Sequence, residues 1–221
     1  MTQGQWDGTM TEGEWNRSDD LHRLLQFLEG RASDRKLRLF SLACCRRVWP
    51  HLDQFDREVV EAAERTVDGA ATPADAGLLR RSADDFHKSR TFQKRFLACL
   101  FHGRRSRTPV QISWFLAHLV GAADTMNGPE ARAERVAQVA LLRDVAGNPF
   151  RPAGLDLAWV TPTAVAVARA MYDSRDFDGM PILADALEDA DCQDEQLLGH
   201  CHGPALHARG CWLIDLILGK E

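Results

Sequence analysis

Apolar residues recur three and four positions apart along most of this chain, and no other feature constrains its fold as strongly. Leu21, Leu24, Leu25 and Leu28 form one such stripe before Gly30, and similar stripes follow between later glycines and prolines. No segment alternates cleanly between apolar and polar residues, as a half-buried strand would. The sequence therefore predicts a mainly α-helical, multi-helix globular bundle with a short irregular N-terminal arm.

Clusters of glycine and proline divide the chain into three predicted regions. Residues 1–17 contain three glycines among polar residues, which favours the irregular N-terminal arm. Residues 18–147 are expected to form a helical domain. The two prolines of residues 148–152 (NPFRP) restrict the residues before them to extended backbone. Residues 148–221 are accordingly predicted to form a C-terminal helical subdomain packed on the first domain.

The last helix is predicted at about residues 207–218. Its apolar run, residues 212–218, is too short to cross a bilayer and too apolar to remain exposed. Asp215 lies inside this run, so it should be buried and should need a positively charged partner from another helix. The candidates for that partner are Arg46, Arg47 and Arg169.

Composition places the chain among ordinary globular proteins. Of its 221 residues, 45% are hydrophobic and 27% are charged, with a formal net charge of -5. No run is long and apolar enough for a membrane span, and the first fifteen residues lack the apolar stretch of a signal peptide. We expect a cytoplasmic protein with no membrane partner, whose six cysteines stay reduced.

Five short sequences carry a resemblance to a known family. Residues 32–40 (ASDRKLRLF) and 43–49 (ACCRRVW), with 148–152 (NPFRP), 183–188 (LADALE) and 207–212 (HARGCW), resemble an uncharacterised protein family associated with planctomycete bacteria. The resemblance implies a bacterial source but no activity, cofactor or fold. His202 stands where that family has arginine, so it receives no role.

A cluster of cysteine and histidine near the C-terminus is the densest candidate for chemistry. Zinc is held by four thiolate or imidazole ligands in a tetrahedron, and His200, Cys201, His207 and Cys211 could supply them. The spacing matches no common zinc-finger pattern. The alternative is that the cysteines fill core space and the histidines hydrogen-bond the turn. Zinc is thus the one cofactor that the sequence suggests.

A basic loop at residues 102–107 is the second candidate. Arg104, Arg105 and Arg107 could hold phosphate or carboxylate groups, because guanidinium binds both bidentately. The chain is acidic overall and no aromatic residues are interleaved with these arginines, which disfavours nucleic acid. An acidic protein surface suits the loop better, and a solvated loop with no partner is the simplest interpretation.

No recognisable catalytic set is present. The sequence has neither a nucleophile elbow nor a phosphate-binding glycine loop. The leading hypothesis is therefore a non-enzymatic helical module for protein interaction or regulation, with a protein as its partner. The alternatives are a zinc-binding domain or metal-dependent enzyme using the C-terminal cluster, and nucleic-acid binding through residues 102–107.

Overall fold

The predicted helical fold is confirmed by the computed structural model, which describes residues 9–88, 128–204 and 206–220. The side chains of residues 83–88 are not among the parts described. The described residues form ten α-helices and two short 3-10 helices, with no strand among them. Within these ranges, no helix combines the length and hydropathy that crossing a membrane would require.

The chain divides into two compact units, Met1–Val139 and Ala140–Glu221. The division falls inside a helix, eight residues before the predicted boundary between residues 147 and 148. The described helices that begin in the first unit are α1 (Glu12–Arg17), α2 (Leu21–Leu28), α3 (Asp34–Arg47), α4 (Gln54–Val67), α5 (Pro73–Lys88) and α6 (Pro129–Ala146). A 3-10 turn, Trp49–His51, joins α3 to α4.

Helix α1 lies within residues 1–17, for which the sequence predicts an irregular arm, so the end of that segment is helical instead. Thr11 caps it: the Thr11 hydroxyl accepts from the backbone N–H of Glu14, and the Glu14 carboxylate accepts from the backbone N–H of Thr11. This reciprocal pair is a capping box, and its sequence signature is threonine followed by glutamate three residues later. Trp15 on the same helix is 1% exposed and anchors the segment in the core.

The first unit packs α3 against α4 and α4 against α5. Leu24, Phe40 and Val59 are among its fully buried side chains. Charged pairs link its helices at the edge of this core, and each arginine meets a largely buried carboxylate. The pairs are Arg46 with Glu64, Arg47 with Glu134 and Arg65 with Asp75, at nitrogen–oxygen distances of 2.6, 2.9 and 2.6 Å.

The second unit contains the end of α6 and four further helices. These are α7 (Pro162–Ser174), α8 (Met180–Glu188), α9 (Glu195–His202) and α10 (Trp212–Ile217). Helix α8 packs on α7 and α9, while α10 packs on α7. Their shared core includes Tyr172, Leu183, Leu197 and Ile214. Asp215 is 1% exposed in α10, as the sequence predicted. Arg46 and Arg47, proposed above as its partners, instead pair with Glu64 and Glu134.

The last helix is shorter than predicted. It begins at Trp212 rather than near His207 because Gly210 has a φ of 97°, a left-handed conformation that favours glycine and interrupts a helix. Cys211 becomes the N-cap residue of α10. His207 consequently lies in irregular backbone, outside the helix that contains the residues after Cys211.

The capping box of α1 predicts an acid-sensitive contribution to stability. The pKa of Glu14 falls from 4.5 to about 2, because its carboxylate accepts hydrogen bonds from Thr11 and Arg23. A lowered carboxyl pKa stabilises the fold above the unfolded pKa, and this stabilisation is lost as the pH falls toward the folded one. Glu14→Gln should therefore destabilise the protein at pH 6, with the effect shrinking between pH 4.5 and 2. Urea unfolding across this range measures the difference, and a pH-independent effect would contradict the assignment.

Candidate metal centre

Four side chains with metal-binding atoms converge in the second unit. Asp144 lies in the last turn of α6, His200 lies on α9, His207 lies in the irregular segment after α9, and Cys211 caps α10. One ligand atom from each residue lies within 4.8 Å of every other. The four residues therefore bring oxygen, nitrogen and sulfur donors from separate parts of the unit to one point.

Asp144 is the most constrained member of the group. Its side chain is 1% exposed, and it lies near the carboxyl end of a helix, where the helix dipole disfavours a negative charge. Its Oδ2 accepts from the backbone N–H of Ala208 at 2.9 Å, and its Oδ1 accepts from Nδ1 of His207 at 2.8 Å. Burial by itself raises the pKa of Asp144, but hydrogen bonds from His200 and His207 outweigh it, so the pKa is lowered.

His200 lies between three polar groups. Its Nε2 is 3.1 Å from Sγ of Cys211 and 3.4 Å from Oδ1 of Asp144. On the other side of the ring, the indole N–H of Trp212 donates to Nδ1 at 3.2 Å. The ring also meets His207 edge-on, with 4.9 Å between centroids. His200 is thus held in one orientation with Nε2 aimed into the group.

Cys211 contributes a buried thiol. The residue is 0% exposed. Burial and the charge of Asp144 raise its pKa well above the ordinary value, while the backbone amides of Ile214 and Leu213 act in the opposite direction. A thiol in these surroundings stays protonated unless a cation replaces its proton.

The separations suit a small divalent ion. Zinc bonds are roughly 2.0 Å to nitrogen or oxygen and 2.3 Å to sulfur, so tetrahedral ligands lie about 3.3 to 3.6 Å apart. Three of the six distances between ligand atoms are 2.8, 3.1 and 3.4 Å, and all six lie within 4.8 Å. Shifts of up to about half an ångström would bring these three pairs to the spacing of zinc ligands, and the widest separation in the group would have to shorten by about 1 Å.

Cys211, His200 and Asp144 do not form a nucleophilic triad. In a cysteine–histidine–aspartate triad, one ring nitrogen faces the thiol and the other faces the carboxylate. Here the thiol and the carboxylate both lie near Nε2 of His200, and Nδ1 faces Trp212. The raised pKa of Cys211 also opposes the thiolate that such chemistry needs. The geometry favours metal binding over nucleophilic catalysis.

Three of the four residues predicted as metal ligands meet in this group, and one does not. His200, His207 and Cys211 are members, whereas Cys201 is not. Cys201 lies in the core of the unit, where burial and the neighbouring Cys192 raise its pKa to about 12. Asp144 takes the fourth position, and it was missed because it lies far from the cysteine–histidine cluster in sequence.

The basic loop of residues 102–107 lies outside the described residues, so Arg104, Arg105 and Arg107 remain a sequence prediction.

No family model, curated protein or solved structure matches the chain. The described residues form an all-α fold whose C-terminal unit contains a largely buried Asp/His/His/Cys group. The resemblance to a planctomycete-associated family also stays a prediction.

Gly147 lies against Trp212, whose indole N–H donates to His200, and this close approach is testable. Its φ is 69°, and a Cβ there would lie 3.2 Å from Cγ of Trp212. Gly219 has a φ of 62° but has no such neighbour within 4 Å. Gly219→Ala should destabilise the protein by about 1 kcal/mol through backbone strain alone. Gly147→Ala should cost about 2 to 3 kcal/mol, because the indole must also shift.

Thermal and urea unfolding of the two alanine variants would measure this difference. Equal destabilisation would mean that the contact between Gly147 and Trp212 does not constrain the indole.

Proposed function

We propose that the C-terminal unit is a zinc-binding module, in which Asp144, His200, His207 and Cys211 hold one ion. The observation that carries this proposal is the convergence of four ligand atoms within 4.8 Å. His207 and Asp144 are 63 positions apart in the chain, so their meeting depends on the tertiary fold. One ion would join the end of α6 to α9 and to the start of α10.

The donor set supports zinc over the hard cations. Calcium and magnesium prefer oxygen ligands and bind several of them, whereas Asp144 is the one carboxylate in this group. Two imidazoles and a thiolate suit zinc and similar borderline ions. Zinc would also replace the thiol proton of Cys211, because its positive charge stabilises the thiolate that burial otherwise disfavours.

Burial supports a structural role over a catalytic one. Catalytic zinc keeps an open position for water or substrate, whereas structural zinc is enclosed by four protein ligands. The side chains of Asp144, His207 and His200 are 1%, 6% and 13% exposed, and Cys211 is 0% exposed. A site this enclosed would stabilise the unit rather than admit a substrate.

A structural ion is compatible with the leading sequence hypothesis of a helical interaction or regulatory module. Zinc binding would add its free energy to the folding of the unit, because the assembled ligand set exists only in the folded chain. The helical surfaces would then be available to a protein partner. In this proposal the metal maintains the fold and does not take part in a reaction.

The direct test is metal binding by matched cysteine variants. Protein stripped with chelator and reloaded with zinc should retain about one ion per chain, as measured by elemental mass spectrometry. Cys211→Ser should weaken zinc binding by more than about 100-fold, beyond what losing an outer hydrogen bond to a ligand costs. His207→Ala should do the same.

Cys201→Ser is the matched control, because Cys201 is also a buried cysteine of this unit but is not a member of the group. It should leave zinc binding unchanged. Folded wild-type protein that binds no zinc would overturn the proposal. Equal losses in Cys201→Ser and Cys211→Ser would overturn the ligand assignment.

A further inference from the structure

We infer that Trp212 opposes zinc binding through His200, so that loading the site requires the indole N–H to give up its hydrogen bond. This inference rests on the proposed zinc site and specifies how that site is regulated. It follows from the contact between the indole nitrogen and Nδ1 of His200, which are 3.2 Å apart.

The indole N–H is a donor and cannot accept, so Nδ1 of His200 must be the acceptor. A neutral imidazole carries one proton, and with Nδ1 accepting, that proton lies on Nε2. Nε2–H then donates toward Sγ of Cys211, 3.1 Å away, or Oδ1 of Asp144, 3.4 Å away. In this arrangement both ring nitrogens of His200 and the indole nitrogen of Trp212 have a hydrogen-bond partner without an ion.

Zinc binding through Nε2 reverses these roles. The metal takes the lone pair of Nε2, and the proton of the neutral ring must move to Nδ1. Nδ1–H and the indole N–H would then be two donors facing each other. The metal ligand and the indole cannot both keep their present contacts, so one of them must move.

The packing of Trp212 restricts how the indole can move. Its Cβ and Cγ lie against Gly147, at 3.4 and 3.2 Å from where a Cβ of that residue would stand. The ring also lies 4.8 Å from the His200 ring between centroids. The indole is thus held between Gly147, which follows α6, and His200 on α9, so breaking its hydrogen bond requires a shift of the indole against Gly147 or a shift of the His200 ring.

The first test compares zinc affinity in Trp212→Phe and wild type by competition with a chromophoric chelator. Phenylalanine keeps an aromatic ring but removes the donor, so the variant should bind zinc about three- to tenfold more tightly, the equivalent of one ordinary hydrogen bond. Trp159→Phe is the control, because Trp159 packs on the same core but is not among the residues of the group. It should leave the affinity unchanged. An unchanged or weaker affinity in folded Trp212→Phe would overturn the inference.

The second test needs no variant. Long-range nitrogen–proton NMR of the wild-type ring should show the proton of His200 on Nε2 without zinc and on Nδ1 with zinc, together with a shifted indole N–H signal of Trp212. Zinc-loaded protein that keeps the hydrogen bond from Trp212 to Nδ1 would overturn the inference while leaving a zinc site formed by the other ligands. Failure to bind zinc at all would overturn the proposed function itself, and the two failures are therefore distinguishable.

Discussion

The C-terminal unit depends on the hydrogen bonds that satisfy one buried carboxylate. Asp144 has a 1% exposed side chain near the negative end of the α6 dipole, where an unpaired charge would be strongly unfavourable. The backbone amide of Ala208 and the imidazoles of His200 and His207 gather around it. These contacts hold His207 and Ala208, which lie outside the helices in the segment between α9 and α10. The fold of the last part of the described chain thus follows from the requirement to satisfy this charge.

Much of the helical framework is predictable because its signals are local. Ser33 and Thr161 cap α3 and α7 as their positions before apolar stripes suggest, and Gly30 follows the end of α2. The last helix begins later than predicted for a specific reason. Gly210 has a left-handed φ of 97°, so α10 begins after it, at Trp212. The spacing of apolar residues alone predicts a helix that begins near His207. Glycine adopts helical and left-handed backbone about equally readily, so the sequence does not show which of the two Gly210 takes.

The candidate site is only partly predictable for a different reason. His200, His207 and Cys211 stand out because histidine and cysteine are dense there, and density is visible in sequence. Asp144 resembles any acidic residue on a helix until the fold buries it, so local pattern does not distinguish it. Cys201 was wrongly predicted as a metal ligand because it is next to His200 in sequence. Its position on α9 places it in the apolar core instead.

The most direct measurement of the central claim is the X-ray absorption spectrum of the zinc-loaded protein at the zinc edge. The account predicts a four-coordinate ion with one sulfur at about 2.3 Å and three nitrogen or oxygen ligands at about 2.0 Å. Two sulfur ligands would mean that Cys201 or another cysteine binds the ion in place of the proposed set. A shell of oxygen and nitrogen without sulfur would show that Cys211 is not a ligand and would contradict the account.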